Sequence, residues 1–224
     1  MRFVGSKGGA GVAPWLISAM PAHRVYVEAF LGRGIVLKTK KPAAASIGID
    51  YDAGVIDSYW RRPEQPGLAI VHGDALQLLG SLRVESDWLI YADPPYLGSA
   101  RSCQRNYYRK ELFTESAHDR LLSTLTCLDG MVMISGFRSE LYCRRLASWR
   151  METFWTVNRR GKRVEECLWC NFPAPTVRHD SSYAGNDFTD RQRIKRKVSR
   201  WSAKFLAMGS AERQAVLESL KAIR

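Results

Sequence analysis

A carboxylate followed by two prolines and a tyrosine ends an apolar stretch in the sequence WLIYADPPYLGS (88–99). The carboxylate of Asp93 accepts hydrogen bonds, and the backbone carbonyl of Pro94 is a second acceptor. Proline has a fixed φ and no N–H group, so this carbonyl is held rigidly with little competition from turn hydrogen bonds. Two fixed acceptors suit a planar group with an NH₂, and Tyr96 can stack on its plane. Asp93, Pro94, Pro95 and Tyr96 are therefore the candidate catalytic residues.

A glycine-containing turn follows an earlier apolar pattern, VYVEAFLGRG (25–34). Glu28 and Phe30 end the pattern, and Gly32 and Gly34 permit a sharp turn and the close approach of a ligand. No Gly-Lys-Ser/Thr follows, and the spacing is shorter than GxGxxG, so a phosphate loop is not indicated. Taken alone, the motif also fits a simple turn.

Two further acids end the next two apolar patterns. Asp50 stands twenty residues after Phe30, where an acid can accept hydrogen bonds from both hydroxyls of a ribose. Asp74 ends the third pattern, where it suits an adenine amine and also suits the N-cap of the helix that follows. Together with the turn, these acids predict a site for a nucleoside cofactor without a pyrophosphate.

The elements that must position these residues alternate along the chain. Predicted strands cover residues 24–30, 46–50, 68–73, 87–92, 131–136, 152–157 and 166–172. Predicted helices cover residues 11–20, 34–40, 52–61, 74–82, 115–128 and 138–147. Alternation of this kind predicts an α/β fold, with a mainly parallel sheet covered by helices on both faces. In such sheets, ligands bind beyond the carboxyl ends of the strands.

The character of the chain changes after Pro173. We predict a domain over 1–173, a linker over 174–190 rich in turn-forming residues, and a basic helical tail over 191–224. Seven Lys or Arg and no acid lie between Arg191 and Lys204, with apolar residues at helical spacing. Ser210 is predicted to cap a second helix. The tail suits either a solvated docking helix or an arm that contacts phosphates.

The formal net charge of +12 and a pI near 9.7 favour a polyanionic partner, most often nucleic acid, although charge also serves solubility. The sequence shows neither an apolar signal segment nor a membrane span, and we expect a cytoplasmic protein without an obligate protein partner. Five scattered cysteines suit a reducing compartment. Cys167 and Cys170 are predicted to face opposite sides of a strand, and no metal site is expected.

The motifs FVGSKG (3–8), EAFLGRG (28–34) and DPPY (93–96) resemble those of the Dam-like, S-adenosylmethionine-dependent DNA adenine-N6 methyltransferases, in particular the compact phage and prophage members. The resemblance covers residues 1 to about 172 and implies a Rossmann-like methyltransferase fold, S-adenosylmethionine as cofactor and DNA as partner. The cofactor-binding residues that it implies, together with the motif residues above, are Phe3, Lys7, Glu28, Phe30, Gly32, Gly34, Asp50, Asp74 and Asp93. The chain departs from the family pattern at two positions. Ala29 stands where the family usually has a proline, and Ser6 stands where it has a glycine.

One departure concerns target recognition. Asp74 and Asp93 are only nineteen residues apart, which leaves no room for the recognition domain that bacterial Dam enzymes carry there. Nucleic-acid contacts are therefore predicted from the segment after the catalytic motif and from the tail. The residues predicted to make them are Arg101, Arg105, Tyr107, Tyr108, Arg109, Lys110, Arg193, Lys195, Arg196, Lys197 and Arg200.

Three alternatives stay open: methylation of cytosine N4, methylation of an RNA base, and a non-catalytic DNA-binding protein on the same scaffold. The aspartate before the two prolines favours adenine over cytosine, for which related families more usually have serine. Trp149, Trp155 and Trp169 are predicted to be core residues.

Overall fold

The structure is a computed structural model that describes residues 7–8, 11–60, 65–97, 114–157, 161–185 and 187–223. The strands are β1 (Val25–Ala29), β2 (Ala45–Asp50), β3 (Leu68–His72), β4 (Trp88–Ala92), β5 (Met131–Gly136), β6 (Arg150–Val157) and β7 (Arg163–Cys170). The helices are α1 (Val12–Ser18), α2 (Ile35–Thr39), α3 (Ala53–Tyr59), α4 (Ala75–Ser81), α5 (Glu115–Thr126), α6 (Glu140–Arg145), α7 (Phe188–Ala207) and α8 (Ser210–Ala222).

The seven strands form one sheet in the order β3-β2-β1-β4-β5-β7-β6. Neighbouring strands from β3 to β5 are parallel, whereas β7 runs antiparallel to both β5 and β6. The predicted fold class, a Rossmann-like and mainly parallel α/β sheet with a helical C-terminal tail, is confirmed. The strand order reverses between β1 and β4, and this is the position at which ligands bind in doubly wound sheets.

The alternation of side chains divides the sheet into an apolar face and a partly polar face. Val25, Val27 and Ala29 of β1 belong to the main hydrophobic cluster, which also contains the buried leucines of α4, α5 and α6. The opposite face carries Tyr26 and Glu28, both buried, and is flanked by α1, whose Trp15 ring stacks on Phe154 of β6. Polar groups are thus concentrated on one side of the sheet.

Local sequence signals explain where the helices begin. Asp52, Asp74, Thr114 and Ser139 are N-caps, and each side chain accepts a hydrogen bond from a backbone N–H in the first turn. Capping side chains satisfy N–H groups that have no partner within the helix. Helices α3, α4, α5 and α6 therefore begin within two residues of their predicted starts.

A short segment ties the end of the first compact unit to the amino ends of the strands. His179 N donates to Met20 O, and Lys41 N donates to the buried carboxylate of Asp180 at 2.8 Å. The imidazole rings of His23 and His179 stack with their centroids 3.7 Å apart. We call these two rings the histidine pair. It lies before β1, at the edge of the sheet opposite the carboxyl ends of the parallel strands.

The chain divides into two compact units, Met1–Asp180 and Ser181–Arg224. The first part of the segment predicted as a linker therefore belongs to the larger unit. In the smaller unit, Asp187 caps α7 by accepting from Asp190 N, so the helix begins three residues before the predicted start of the tail. The prediction that Ser210 caps α8 is wrong, because the N-cap is Gly209 and Ser210 is the first helical residue.

The three tryptophans predicted to be core residues behave differently. Trp169 is fully buried and Trp149 packs against the main cluster. Trp155 is 55% exposed on β6, so the prediction is wrong for this residue. It lies on the edge strand, on the face opposite to Phe154, the residue that packs against Trp15 of α1.

Candidate active site

Adjacent parallel strands bring the two sequence motifs together. Ala29, the last residue of β1, is paired in register with Ala92, the last residue of β4. The glycine turn at residues 30–34 and the carboxylate of Asp93 therefore leave the same edge of the sheet from neighbouring strands. This edge, at the point where strand order reverses, is the candidate active site.

The glycine turn has an unusual backbone that fits its sequence. Phe30, Gly32 and Gly34 have φ values of 64°, 52° and 57°, in the left-handed region that glycine adopts at least cost. A Cβ atom at Gly34 would lie 2.1 Å from the ring of Trp60, whose Nε1 donates to the carbonyl of Gly32 at 3.0 Å. The turn is thus fixed from behind by an indole, and position 34 accepts only glycine.

Asp50 stabilises this turn from the end of β2. Its carboxylate accepts hydrogen bonds from Gly32 N at 2.6 Å and from Asp52 N at 2.9 Å. Burial raises the pKa of Asp50, and the two backbone donors oppose that effect. A carboxylate has about four acceptor sites, so each oxygen retains capacity for a ligand hydroxyl.

Asp74 and Glu28 take different local roles. Asp74 caps α4 by accepting from Leu76 N at 2.9 Å, which is the structural role open to it from the sequence. Glu28 is buried on the polar face of the sheet and accepts from the hydroxyl of Tyr26 at 2.9 Å. Burial raises its pKa to about 8. Glu28 is therefore largely protonated near neutral pH.

A buried polar cluster surrounds Asp93 and Tyr96 of the DPPY motif. The ammonium of Lys7 lies 2.9 Å from Asp93 Oδ1 and 2.7 Å from Glu166 Oε2, and it also donates to the hydroxyl of Tyr96 at 2.5 Å. The hydroxyl of Tyr96 in turn donates to Glu166 Oε2 at 2.7 Å. We call Lys7, Asp93, Tyr96 and Glu166 the reactive cluster. One cation is shared here by two carboxylates.

Neighbouring hydroxyls fix both carboxylates of the reactive cluster. Ser135 of β5 donates to Asp93 Oδ1 at 2.8 Å and lies 2.9 Å from the hydroxyl of Tyr91. Thr156 of β6 donates to Glu166 Oε1 at 2.9 Å. Carboxylates held by several donors keep a defined orientation, as a rigid acceptor requires.

The charges in the cluster influence one another strongly. Burial disfavours the ammonium of Lys7, but the adjacent carboxylates outweigh it, and the pKa of Lys7 is raised. Burial also raises the pKa of Asp93. The charge of Lys7 and the bond from Ser135 oppose this effect, whereas the negative charge of Glu166 adds to it. A like charge near a carboxylate disfavours its ionised form.

The sequence did not indicate Glu166, Ser135 or Thr156 as site residues. The one available signal is EECLWC (165–170), since two adjacent acids on a strand place one of them on each face. The hydroxyls carry no such signal. Lys7 was predicted as a cofactor contact, and the structure places its ammonium against Asp93 and Tyr96.

The other predicted site residues are either on α7 or outside the residues that the structure describes. Phe3 and the predicted nucleic-acid residues between 101 and 110 lie outside the described residues. The tail residues Arg193, Lys195, Arg196, Lys197 and Arg200 are all exposed on α7. Arg193 is paired with Asp190 at 2.7 Å. Among the described residues, no group of His, Cys, Asp or Glu is arranged to hold a metal ion, and no helix is both long and apolar enough to cross a membrane.

No protein-family model and no curated protein sequence matches the chain. Solved structures similar in fold include the 23S rRNA methyltransferase ErmE, with 13% identity, a TM-score of 0.48, and coverage of 88% of this chain and 78% of that one. The precorrin 8w decarboxylase of Methanobacterium thermoautotrophicum has 13% identity, a TM-score of 0.49, and coverage of 76% and 94%. A dimethyladenosine transferase from Plasmodium falciparum has 15% identity, a TM-score of 0.45, and coverage of 75% and 63%. The substrates in these names belong to those proteins.

Proposed function

We propose that this chain transfers a methyl group from S-adenosylmethionine to the exocyclic N6 amine of an adenine in DNA. The observation that carries the proposal is the position of Asp93. Its carboxylate stands at the end of β4, beside the glycine turn, and is oriented by Ser135 and Lys7. A hydrogen-bond acceptor for the target amine and a turn suited to a nucleoside therefore share one edge of the sheet.

The residues around the glycine turn suit the proposed cofactor. The turn at residues 30–34 is held in a fixed shape beside Asp93, because the indole of Trp60 packs behind Gly34 and donates to the carbonyl of Gly32. Asp50 retains acceptor capacity for ribose hydroxyls while it braces the turn. Asp74 follows the next strand of the sheet and is suited to the adenine of the cofactor. When bound, S-adenosylmethionine supplies a methyl group already activated by its sulfonium, so the protein needs to supply positioning and electrostatics.

The chemistry assigned to the catalytic motif concerns the lone pair of the target amine. In adenine this lone pair is delocalised into the ring, and the nitrogen becomes nucleophilic when the lone pair is turned out of conjugation. The carboxylate of Asp93 and the carbonyl of Pro94 each accept one amine hydrogen, which favours that geometry. Tyr96 stacks on the base after it leaves the duplex, with its ring supported edge-on by Phe137 at a centroid distance of 4.5 Å.

Glu166 completes this mechanism as a positioning residue. When Asp93 accepts a hydrogen from the target amine, it shares its oxygens between that amine and Lys7. A buried ammonium that loses its counter-ion is strongly disfavoured, and Glu166 remains paired with Lys7 at 2.7 Å. The same carboxylate holds the hydroxyl of Tyr96. Glu166 thus frees Asp93 for substrate and sets the orientation of the stacking ring.

Labelled methyl transfer tests the proposal directly. Purified protein is incubated with radiolabelled S-adenosylmethionine and unmethylated duplex DNA, single-stranded DNA or RNA, and the modified nucleoside is identified by mass spectrometry. We expect N6-methyladenine in DNA. Label found only in RNA would show that the substrate is an RNA base and not DNA. Label on cytosine would show that the acceptor is the N4 amine of cytosine. No label in any nucleic acid would reject the proposed activity.

In this proposal, the basic residues exposed on α7 contact the phosphates of the DNA backbone. Replacing Lys195, Arg196, Lys197 and Arg200 by glutamine should weaken DNA binding and reduce its salt dependence, because fewer counterions are released. Dissociation constants measured between about 50 and 200 mM salt give the slope. Replacement of Glu212 and Glu218 in α8 is the matched control. If the salt dependence of binding is unchanged in the α7 variant, the tail does not contact the DNA.

A further inference from the structure

The hairpin formed by β6 and β7 extends past the sheet at the edge of the active site. β5 ends at Gly136, which pairs with Cys167, while the preceding residues of β7, from Arg163 to Glu166, pair only with β6. At about 3.4 Å per residue, the hairpin projects about 14 Å beyond the end of β5. Because β5 is parallel to β4, it projects from the edge that carries Asp93.

The two faces of the projecting hairpin differ in character. The inner face contributes Thr156 and Glu166 to the active site. The outer face exposes Trp155 and Val157, with exposed fractions of 55% and 61%. The guanidinium of Arg163 lies over the ring of Trp155, 4.7 Å from its centroid. An aromatic ring with a guanidinium on it is a flat, cationic surface of the kind on which nucleic-acid bases stack.

The charge of this surface favours a polyanion over a second copy of the chain. Lys162 immediately precedes β7 and Arg163 begins it, and both are exposed. The acid on the same face, Glu165, interacts electrostatically with Arg138. Pairing of two copies through the edge strand β6 would bring together chains that each carry a formal charge of +12, whereas a nucleic-acid strand supplies compensating phosphates.

We propose that the outer face of the hairpin binds the nucleic-acid strand that flanks the target base, with a base stacked on Trp155 and a phosphate paired with Arg163. This inference rests on the proposed function, because it assigns a second contact to the same substrate. It adds a recognition surface in the larger unit, where the nineteen residues from Asp74 to Asp93 leave no room for an inserted recognition domain.

Binding of a labelled oligonucleotide, measured by fluorescence anisotropy without turnover, tests the surface. Trp155→Ala should weaken binding by about tenfold, the scale of losing one base–aromatic stack, and Trp155→Phe should recover most of it. Arg163→Gln should lower the slope of log K against log salt by about one. Duplex DNA, single-stranded DNA and RNA are compared to identify which strand the surface binds.

Two control variants isolate the surface. Met151→Ala changes an apolar residue, 38% exposed, on the same face of β6 and at the far end of the strand. Arg83→Gln removes an exposed charge from the opposite edge of the sheet. Both should bind like the unchanged protein.

Equal binding by Trp155→Ala and Met151→Ala would overturn the proposal. So would a change from dimer to monomer on replacing Trp155, measured by sedimentation, because the outer face would then be an interface between copies. If the unchanged protein binds but transfers no methyl group, the proposed function fails while the surface is still tested by the variants.

Discussion

The two edges of the sheet bury titratable groups in opposite ways. At the carboxyl edge, the reactive cluster keeps an ammonium and carboxylates in contact, and the pKa of Lys7 is raised by its acidic neighbours. At the amino edge, the histidine pair stacks ring on ring, and burial lowers the pKa of His23 to about 3. Burial also lowers the pKa of His179. One cluster contains paired charges, with one ammonium between two carboxylates, and the other is neutral.

This difference indicates different purposes. A buried ion pair is costly to assemble and seldom improves stability over apolar packing, so the reactive cluster is expected to serve chemistry. The histidine pair lies where the segment ending at Asp180 joins the chain near Met20 and Lys41. Its neutral rings are expected to stabilise the packing of this segment within the larger unit. Variants at the two edges should therefore affect different measurements.

The largest effect is expected from Asp93→Ala. Removing the acceptor for the target amine should lower kcat by more than about 10³-fold, while the affinity for S-adenosylmethionine falls less. Single-turnover kinetics and isothermal titration measure the two quantities. Asp87→Ala, an exposed acid before the same strand, is the control. Substantial turnover by Asp93→Ala would refute the mechanism.

Glu166→Gln should lower kcat by about 10²-fold, the scale of a small misplacement of reacting groups. The amide still holds Tyr96 and Thr156, but Lys7 is left with Asp93 as its charged partner. The negative charge of Glu166 raises the pKa of Asp93, so its removal should lower that pKa. The acid limb of the pH–rate profile should move to lower pH.

Two comparisons make the Glu166 result specific. Glu165→Gln removes the adjacent charge from the opposite face of β7 and should leave kcat unchanged at saturating nucleic acid. The second comparison is a double-mutant cycle of Lys7→Met and Glu166→Gln. The loss of kcat in the double variant should differ clearly from the sum of the two single losses in free energy, because the two residues form one ion pair. If the acid limb of the pH–rate profile does not shift and the losses of kcat are additive, Glu166 has only a structural role.

A smaller effect is expected from Asp50→Asn, which separates binding from reaction within the carboxyl edge. The amide keeps one acceptor oxygen for two backbone donors and a ligand. The affinity for S-adenosylmethionine should fall by about tenfold, the scale of one charge-assisted hydrogen bond. The value of kcat at saturating cofactor should change little. A large loss of kcat with unchanged affinity would place Asp50 in the reactive cluster instead.

The smallest effect concerns stability at mildly acidic pH. Because burial lowers the pKa of His23 below 6.5, the neutral form stabilises the fold above pH 6.5, and this contribution is lost as the pH falls towards 3. At pH 5.5 the loss is about 1.4 kcal/mol. His23→Asn keeps a donor for the carbonyl of Pro21 and does not titrate, so its free energy of unfolding should decline less between pH 7.5 and 5.5.

The difference between the two proteins isolates His23. Glu28, whose pKa is raised to about 8, contributes stability as the pH falls, and it does so equally in both. His72→Asn, at an exposed histidine, is the control and should follow the unchanged protein. Parallel declines for His23→Asn and the unchanged protein would show that the histidine pair is not a buried neutral contact.

The sequence predicts best what is encoded locally. The seven strands and the six helices of the larger unit occur at the predicted places. The signals that determine them, which are the spacing of apolar residues, the helix caps and the turn-forming residues, each involve only a few neighbouring positions. The glycine turn and Asp50 are twenty residues apart or less and follow successive strands. Register alone then brings them together.

What could not be predicted depends on distant residues. Lys7 and Glu166 are 159 positions apart, and no period or spacing connects them. Trp155 is predicted to be a core residue, but the order of the strands places β6 at the edge of the sheet, where this side chain is exposed. The antiparallel direction of β7 does have a signal in the sequence. The connection from β6 is too short for a parallel crossover.

The order of the strands has a consequence for biosynthesis. β7 is the last strand made, yet it lies between β5 and β6. While the chain emerges from the ribosome, β6 has no partner in the sheet, and β5 remains an open edge until residue 170 is available. Glu166 arrives with the same strand, so the nascent chain holds Lys7 and Asp93 without their second carboxylate. The candidate active site is therefore completed in the same step that closes the sheet.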